Sequence, residues 1–397
     1  MSGQDEEAVE LGQEPSTMCP SPSPRSYALP LLASVAGMVI AVFLLSSTGI
    51  VSNQGNAVTM LASSKPASIK ETSGRVYYSA LKASEKKSLF EDFMMQYSKS
   101  YASDDEKDER YANFKKFLKK SDKRNKKEEE KGENTAVHGV TQFADLSEDE
   151  ISDYLLGYKK PSSKDARRQL KVKSGVAKVE KYTGNETNVN WAGVYTTSVN
   201  NQGYCGSCWA FSTAEQLESD SIRAGYLTTD DKLSVQQLVS CDTVDFGCEG
   251  GNTETAYEYI NGAGGIMLEA DYPYTSFLDF ESTCKSSSSS FAVTVDKYYT
   301  LESEDDMISY VQSKGPLSIC AAASSWVSYK SGVVSVCDDE VDHCIQITGI
   351  DTEDNYWIIR NSWGTSWGYD GYIYVKSGEN MCAITTDPTY ADITKLN

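Results

Sequence analysis

Hydrophobic and polar positions along the chain separate it into stretches of different character. Residues 1–26 are polar and rich in Pro and Ser, whereas residues 28–51 carry no charge over 24 positions, enough to span a bilayer with some tilt. Between residues 84 and 131, aromatic side chains recur at roughly helical intervals among dense Lys and Glu, which predicts helices. Ser103 and the three acidic residues after it predict the start of a helix that ends near Lys127.

The pattern changes again towards the C-terminus. Residues 137–158 predict a short strand and an acid-capped helix, and the basic, Ser-rich stretch 161–181 predicts a protease-sensitive loop. Apolar positions at helical spacing predict two further helices, over 208–226 and 233–241. After Phe291, short β-branched and aromatic runs predict strands. Helices followed by strands indicate an α+β body in two lobes.

The apolar segment 27–51 has two membrane-related interpretations, and a buried soluble helix is the remaining possibility. The residues before it contain five acidic side chains and one Arg, unlike the short basic start of a cleavable signal peptide. A transmembrane signal anchor is therefore favoured, with a cleaved signal peptide as the alternative. In either case residues 1–26 are expected to be a disordered tail and residues 52–83 a linker.

Charge is distributed unevenly over the chain, whose net charge is −20. Residues 186–397 contain 31 acidic and 9 basic side chains, and residues 52–185 contain 27 basic and 21 acidic ones. An acidic C-terminal part argues against nucleic-acid binding there. The opposite signs predict that the basic middle segment docks on the acidic domain, although an acidic surface also serves solubility.

Cysteine usage points to an oxidising compartment. The chain has 10 cysteines, nine of them between Cys205 and Cys382, and stable disulfides are rare in the cytosol. This places the cysteine-rich part outside the cytosol, and thus on the lumenal side of any membrane anchor.

Two cysteines three positions apart occur in NQGYCGSCWAFS (201–212), and three kinds of chemistry use such a pair. A redox dithiol needs a thioredoxin-like βαβ frame, which is not predicted before Cys205. A zinc site needs further ligands, yet the C-terminal domain has one His and no second CxxC motif. A nucleophilic cysteine needs a base, and His343 is the one His after residue 189. The pair thus favours one structural and one reactive cysteine.

Three motifs in order resemble the papain-like cysteine proteases, of the cathepsin L type in particular. They are QGYCGSCWAFS (202–212), VDHCIQITG (341–349) and RNSWGTSWGYDGYIYV (360–375). Cys-Gly-Ser-Cys-Trp is a signature of this family, in which His and Asn follow about 130–150 residues later. The resemblance covers about residues 84–397. It implies the papain-like two-lobe fold, with a helical lobe and an antiparallel β-barrel lobe, behind a helical inhibitory propeptide.

The resemblance also implies roles for individual residues. Cys208 would be the nucleophile, His343 its proton carrier, and Asn361 the group that orients the imidazole. Gln202 would donate to the oxyanion, and Gly250 and Gly251 would pair with the substrate backbone as an antiparallel strand. Further substrate-binding positions are expected at Cys320, Cys344, Trp367 and Asp387. No cofactor or metal is expected, and the protein is expected to act as a monomer on polypeptides.

The remaining cysteines are paired by family position. The resemblance implies the disulfides Cys205–Cys248, Cys241–Cys284 and Cys337–Cys382. Cys320 and Cys344 fall where the family lines its main specificity pocket, S2, and are expected as two small buried thiols, with a fourth disulfide as the alternative. Asp387 stands where family members that accept Arg in this pocket carry an acid, so the pocket is expected to accept basic as well as hydrophobic side chains. The alternative is a solvent-facing Asp.

The middle segment resembles the propeptide of the same family. Four positions match its interspersed helical motif and two depart, Phe117 and Ser121; the matches are Glu106, Arg110, Phe114 and Asn125. A second propeptide motif is matched by Gly139, Thr141, Phe143 and Asp145. Residues 84–185 are therefore expected to fold as an inhibitory propeptide that blocks the cleft in reverse orientation, and residues 186–397 as the peptidase domain. The mature N-terminus is expected between Lys173 and Val189.

The predicted function is a cysteine endopeptidase made as a zymogen and activated by acid. Asn185, in Asn-Glu-Thr, is the predicted glycosylation site. A lysosomal, vacuolar or extracellular destination follows from the resemblance. The alternatives are a catalytically silent homologue that binds or inhibits proteins and, more distantly, a thiol oxidoreductase.

Overall fold

The computed structural model describes residues 70–72, 74–160, 173–279 and 282–396. The expected tail 1–26, the apolar segment 27–51 and most of the expected linker lie outside the described residues. Within the described ranges, no helix is both long and apolar enough to cross a membrane.

The N-terminal unit is mainly helical. Its strands and helices are β1 (Lys70–Thr72), β2 (Arg75–Tyr77), α1 (Ala83–Gln96), α2 (Asp104–Glu129), β3 (Val137–His138) and α3 (Glu148–Leu155). The predicted start of α2 is confirmed, because the Ser103 side chain accepts the N–H of Glu106 at 3.1 Å. A capping box between Ser147 and Glu150 starts α3.

The expected propeptide motif residues hold these elements together. Phe114 of α2 packs against Phe90 and Phe93 of α1, with ring centroids 5.3 and 5.2 Å apart. Arg110 of α2 binds Glu150 of α3 at 2.7 Å. The Asn125 amide exchanges two hydrogen bonds with the backbone of His138, and so fixes β3 beside α2.

The folded N-terminal unit starts earlier than residue 84, inside the expected linker. Arg75 is 2% exposed and donates to the carbonyl of Thr135 at 3.0 Å. The N–H groups of Tyr78 and Ser79 bind the Asp122 carboxylate at 2.7 and 2.6 Å. Tyr78 and Leu81 of this segment also join the main core. The segment is too short for hydrophobic periodicity to reveal it, because its position depends on contacts with residues far along the chain.

The C-terminal domain has helices first and strands afterwards, which confirms the predicted α+β class. A connecting strand, β4 (Lys173–Val176), precedes it. In chain order its strands and helices are β5 (Asn188–Asn190), α4 (Cys208–Arg223), α5 (Val235–Cys241), α6 (Thr253–Ala263), β6 (Ile266–Met267), β7 (Phe291–Thr300), α7 (Glu304–Ser313), β8 (Leu317–Ala321), β9 (Tyr329–Ser331), β10 (Val333–Val334), β11 (His343–Asp351), β12 (Tyr356–Arg360), β13 (Tyr372–Lys376) and β14 (Thr386–Lys395).

Most strands belong to one sheet with the order β10-β13-β12-β11-β8-β14-β7-β4, to which β5 and β6 are joined through β11 and β7. Neighbours are antiparallel except at the β10–β13 and β4–β7 pairs. A separate pair joins the two units: β3 of the N-terminal unit lies antiparallel to β9, with His138 opposite Tyr329.

Apolar side chains form two main cores. One lies in the helical lobe around Trp209, Leu217 and Tyr257. The other is shared, because the aromatic side chains of α1 and α2 belong to the same buried cluster as Trp357 and Trp363 of the β lobe. The N-terminal unit is therefore packed as part of the folded molecule.

Four disulfides are present among the described residues. Three are the expected ones, Cys205–Cys248, Cys241–Cys284 and Cys337–Cys382. The fourth joins Cys320 and Cys344, so the expectation of two free thiols was wrong. The reason is strand register: the two residues lie directly opposite each other on β8 and β11, with their Cα atoms 4.0 Å apart. Cys208 is the free cysteine of the described part.

Alkylation of the denatured, unreduced fragment 75–397 should therefore label Cys208 alone. A Cys208→Ala version should take up no label, which controls for disulfide exchange started by the free thiol. Peptide mass mapping is the measurement. Label on both Cys320 and Cys344 in the Ala version would contradict the fourth disulfide.

Candidate active site

Cys208 begins helix α4 and is fully buried. The first turn of a helix presents unpaired backbone N–H groups and a positive dipole end, both of which favour a thiolate. Two further N–H groups point at its sulfur, from Cys344 at 3.5 Å and from Gly157 at 3.3 Å. Burial nevertheless raises the pKa of the Cys208 thiol to about 11, so the thiol is protonated in this state.

His343 is the first residue of strand β11, directly before Cys344. Its Nε2 lies 2.8 Å from Oδ1 of Asn361. An amide oxygen can only accept, so Nε2 carries the proton and the lone pair is left on Nδ1. The Nδ1 atom is buried without a hydrogen bond of normal geometry. Burial lowers the pKa of His343 to about 4, against the effect of Asn361.

Trp363 covers this histidine. The two rings lie 4.8 Å apart, and both side chains are fully buried. Trp367 lies behind, with its ring edge-on to Trp363 at 4.9 Å and its Nε1–H bonded to the carbonyl of Trp326. The observed contacts of Trp367 therefore support the shielding ring, and its expected contact with substrate stays a prediction.

Gln202 presents its amide nitrogen to the same cleft. Nε2 donates to the carbonyl of Cys205 at 3.0 Å and to the propeptide carbonyls of Tyr154 at 3.1 Å and Leu155 at 3.3 Å, both at the end of α3. Because the amide has two hydrogens, the two propeptide carbonyls share one of them. Its Oε1 accepts a hydrogen bond from Ser362 at 2.7 Å, which fixes the direction of the amide. Ser362 was missed by the sequence analysis, although it directly follows Asn361 in a recognised motif.

The segment after α3 runs through the cleft as an extended strand. The N–H of Gly251 donates to the carbonyl of Gly157 at 2.8 Å, and Lys159 donates to the carbonyl of Gly251 at 2.8 Å. This pairing is parallel, at Tyr158 opposite Gly251. A substrate is expected to pair antiparallel with the same backbone. The propeptide strand therefore runs opposite to a substrate, which is the reverse orientation that the sequence analysis expected.

Gly157 makes this passage possible. A Cβ atom placed on Gly157 would lie 1.8 Å from the carbonyl oxygen of Gly206, far inside contact distance. On the other side of the strand, a Cβ atom on Gly250, whose φ is +114°, would lie 2.6 Å from the carbonyl oxygen of Gly157. Bare backbone on both sides of the cleft allows the close approach.

Tyr158 fills a pocket next to the thiol, defined here as the Tyr158 pocket. Its lining is formed by the Cys320–Cys344 disulfide, Val341, Asn252 and Asp387. The phenol donates to Oδ2 of Asp387 at 3.0 Å, so Asp387 faces the cleft. The sequence analysis also missed Asp342, whose carbonyl accepts the N–H of Tyr158 at 3.0 Å. Burial raises the pKa of the Asp342 carboxyl to about 7.

Chemically, the site combines a thiol at a helix N-terminus, an imidazole oriented by an amide, and a side-chain amide donor. Among the described residues, no group of three or more His, Cys, Asp or Glu side chains could hold a metal ion. The expected glycosylation residue, Asn185, lies elsewhere on an exposed stretch.

Comparisons with known proteins agree with this arrangement. The profile described as papain family cysteine protease matches residues 183–392, and that of the cathepsin propeptide inhibitor domain (I29) matches residues 90–151. A viral cathepsin of Choristoneura fumiferana nuclear polyhedrosis virus is 33% identical over 80% of this chain and 94% of its own length. Cysteine proteinase 2 of Leishmania pifanoi is 34% identical over 77% of this chain and 69% of its own.

Solved structures show the same likeness. The digestive procathepsin L2 proteinase from Tenebrio molitor larval midgut is 27% identical, with a TM-score of 0.68, over 77% of this chain and 99% of its own. Fold, propeptide and sequence thus agree with one another. The chain belongs to the papain family of cysteine proteases and is built as a zymogen whose own I29 propeptide fills the cleft.

Proposed function

We propose that this zymogen is an acid-activated endopeptidase in which Cys208, His343 and Asn361 carry the chemistry. Cys208 would attack the scissile carbonyl carbon, and the oxyanion would form where Gln202 Nε2 and the Cys208 N–H converge. His343 would protonate the leaving amine, and a water molecule would then hydrolyse the thioester. The observation that carries this proposal is that Gln202 already holds two propeptide carbonyls.

The propeptide also supports a reason for latency. With the strand in place, burial raises the pKa of Cys208 and lowers that of His343, so both groups are neutral. Removal of residues 154–159 would readmit water, remove this desolvation, and leave the helix N-terminus and the imidazole to stabilise the thiolate. The strand would therefore inhibit the enzyme in two ways. Its backbone runs in the direction that cannot be cleaved, and its presence keeps both catalytic groups neutral.

A silent homologue that binds proteins is the alternative, and a thiol oxidoreductase the more distant one. Both are disfavoured because Gln202, Cys208, His343 and Asn361 are all present. A dithiol mechanism would also need Cys205, which is held in a disulfide with Cys248.

Acid activation is supported by a buried histidine at the propeptide interface. His138 is 2% exposed, its Nδ1 lies 3.0 Å from the Ser328 hydroxyl of the mature domain, and Arg75 and Arg124 face it. Burial, together with these two guanidinium groups, lowers the pKa of His138 to about 3. The docked state thus holds the neutral ring, whereas a released propeptide would protonate it near pH 6.5. Docking would weaken as pH falls from about 6.5 towards 3.

Glu128 acts in the opposite direction over part of this range. Its carboxylate accepts N–H groups of Ser335 and Val336 at 3.0–3.2 Å, and burial raises its pKa to about 7. Between pH 7 and its ordinary 4.5, acid therefore favours docking through Glu128. Below about pH 4.5 the contribution of Glu128 to docking no longer changes, while docking continues to weaken through His138. Glu150 is half-buried, and its hydrogen bond to Arg110 outweighs this partial burial and lowers its pKa. Protonation of Glu150 therefore adds a loss of propeptide stability on strong acidification.

The route through the secretory pathway is part of the proposal. It is supported by the four disulfides, the exposed sequon at Asn185 and the uncharged segment 28–51. A single-pass precursor with a lumenal C-terminus, delivered to a lysosome or vacuole or to the cell exterior, fits these features.

Acidification of fragment 75–397 to pH 4–5 with a thiol should shorten it to about residues 186–397 and start cleavage of Phe-Arg fluorogenic peptides. Cys208→Ala should do neither, with activity lower by more than about a thousandfold, because the nucleophile is absent. Gel mobility and peptide fluorescence are the measurements. If neither protein shortens or cleaves the peptides while all four disulfides are intact, the silent homologue would be favoured.

Replacing Gly157 by Ala should open the cleft at neutral pH. The added methyl group collides with the Gly206 carbonyl, so Cys208 in the intact zymogen should alkylate at least about tenfold faster, equivalent to about 1.4 kcal/mol of lost docking. Stopped labelling followed by mass spectrometry measures this rate. Gly175→Ala is the matched control, because its Cβ would meet only the flexible end of Lys297. Equal rates for both variants would argue against the role of Gly157.

His138→Gln should move the midpoint of self-processing to lower pH, by about one unit, because a non-titrating side chain removes the acid penalty on docking. The rate of conversion is followed on gels between pH 6.5 and 3.5. Thermal unfolding at pH 7.5 controls for a general loss of stability. A midpoint that stays in place, or rises while stability is unchanged, contradicts His138 as the titrating group.

A further inference from the structure

Resting on the proposed function, we infer that the Tyr158 pocket selects a tyrosine as the second residue before the cleaved bond. The Cys320–Cys344 disulfide is its specificity-determining wall, and Asp387 accepts the phenolic hydrogen. The inference names a substrate class, polypeptides with a phenol-bearing side chain at that position.

The pocket holds this side chain in the zymogen. Tyr158 sits opposite Gly251, one of the two glycines along which substrate backbone is expected to pair. A substrate strand would run in the opposite direction, but it would still direct one side chain into the same pocket. The occupant therefore shows the shape and polarity that the pocket accepts.

The acceptor at the end of the pocket is held in position before any ligand arrives. Asp387 has a φ of +47°, which is uncommon for a residue other than glycine. Its Oδ2 also accepts a hydrogen bond from Asn252 Nδ2 at 3.0 Å. Asn252 is 1% exposed and is itself fixed as the N-cap of α6, where its Oδ1 accepts the N–H of Glu254 at 2.8 Å. A phenol gains a charge-assisted hydrogen bond there, whereas a phenylalanine ring leaves the oxygen with one donor fewer.

The wall of the pocket is a rigid sulfur surface. Cys320 and Cys344 are 0% and 1% exposed, and Tyr158 and Val341 pack against the cluster that they form with Cys208. The disulfide ties two adjacent strands directly behind the aromatic ring, and sulfur makes favourable contacts with aromatic rings. Because one strand also carries His343, the same bond sets the distance between the pocket and the catalytic imidazole.

The test uses the processed wild-type enzyme and four peptides that differ only in the second residue before the bond: Tyr, Phe, Leu or Arg, each followed by Arg and a fluorophore. We expect kcat/KM for the Tyr peptide to exceed that for Phe about tenfold. Asp387→Ala should bring the Tyr peptide down to the level of the Phe peptide. Cys320→Ser combined with Cys344→Ser should reduce the preference for Tyr over Leu.

A second measurement does not need catalysis. Tyr158→Phe in the intact zymogen should speed alkylation of Cys208 at neutral pH several-fold, since the strand loses its bond to Asp387. Tyr182→Phe is the control, because that phenol bonds an exposed carboxylate, Glu186, outside the cleft.

The possible results separate this inference from the proposed function. Equal kcat/KM for Tyr and Phe, or a Tyr preference that survives Asp387→Ala, overturns the tyrosine pocket while peptide cleavage still supports the protease. A best rate for Arg likewise overturns it, and assigns Asp387 to basic side chains as the sequence analysis expected. Cleavage of none of the four peptides, by enzyme whose Cys208 still alkylates, counts against the proposed function instead.

Discussion

The direction of one backbone strand governs this zymogen. Residues 157–159 pair with Gly251 in parallel, and the approach is close because neither Gly157 nor Gly250 carries a Cβ atom. The end of α3 and the strand that follows it supply the other propeptide contacts in the site: the carbonyls on Gln202, the N–H on Cys208 and the side chain in the Tyr158 pocket. A chain held in this way satisfies the groups that would stabilise an oxyanion without presenting a bond in the cleavable direction.

Burial is the second consequence of the same strand. Cys208 and His343 are both fully buried, and desolvation moves their pKa values in opposite directions, towards the neutral thiol and the neutral imidazole. The thiol proposed as the nucleophile is thus suppressed by its surroundings. Asn361 and Trp363 already hold the imidazole, so the proposed activation would require removal of a segment and no rearrangement of these two residues.

The propeptide is attached by more than the strand in the cleft. Its helices share an aromatic core with the β lobe, and β3 pairs with β9 of the mature domain. This second attachment contains buried titratable groups, His138 and Glu128, with opposite responses to acid. The cleft contains titratable groups as well, because burial lowers the pKa of His343 to about 4. In the proposed function, the response to acid would therefore come from both attachments.

The sequence by itself determined the class of the molecule and selected the residues that are proposed to react. Capping residues such as Ser103 act locally, so the start of α2 could be predicted, and His343 could be selected because the C-terminal domain has one histidine. Only the tertiary structure decided that Cys320 and Cys344 are bonded, that the folded propeptide begins near Arg75, and that Trp367 backs Trp363. Each of these depends on strand register or on contacts between residues distant along the chain. Local periodicity carries no information about such contacts, because it reports which face of an element is apolar and not what that face meets.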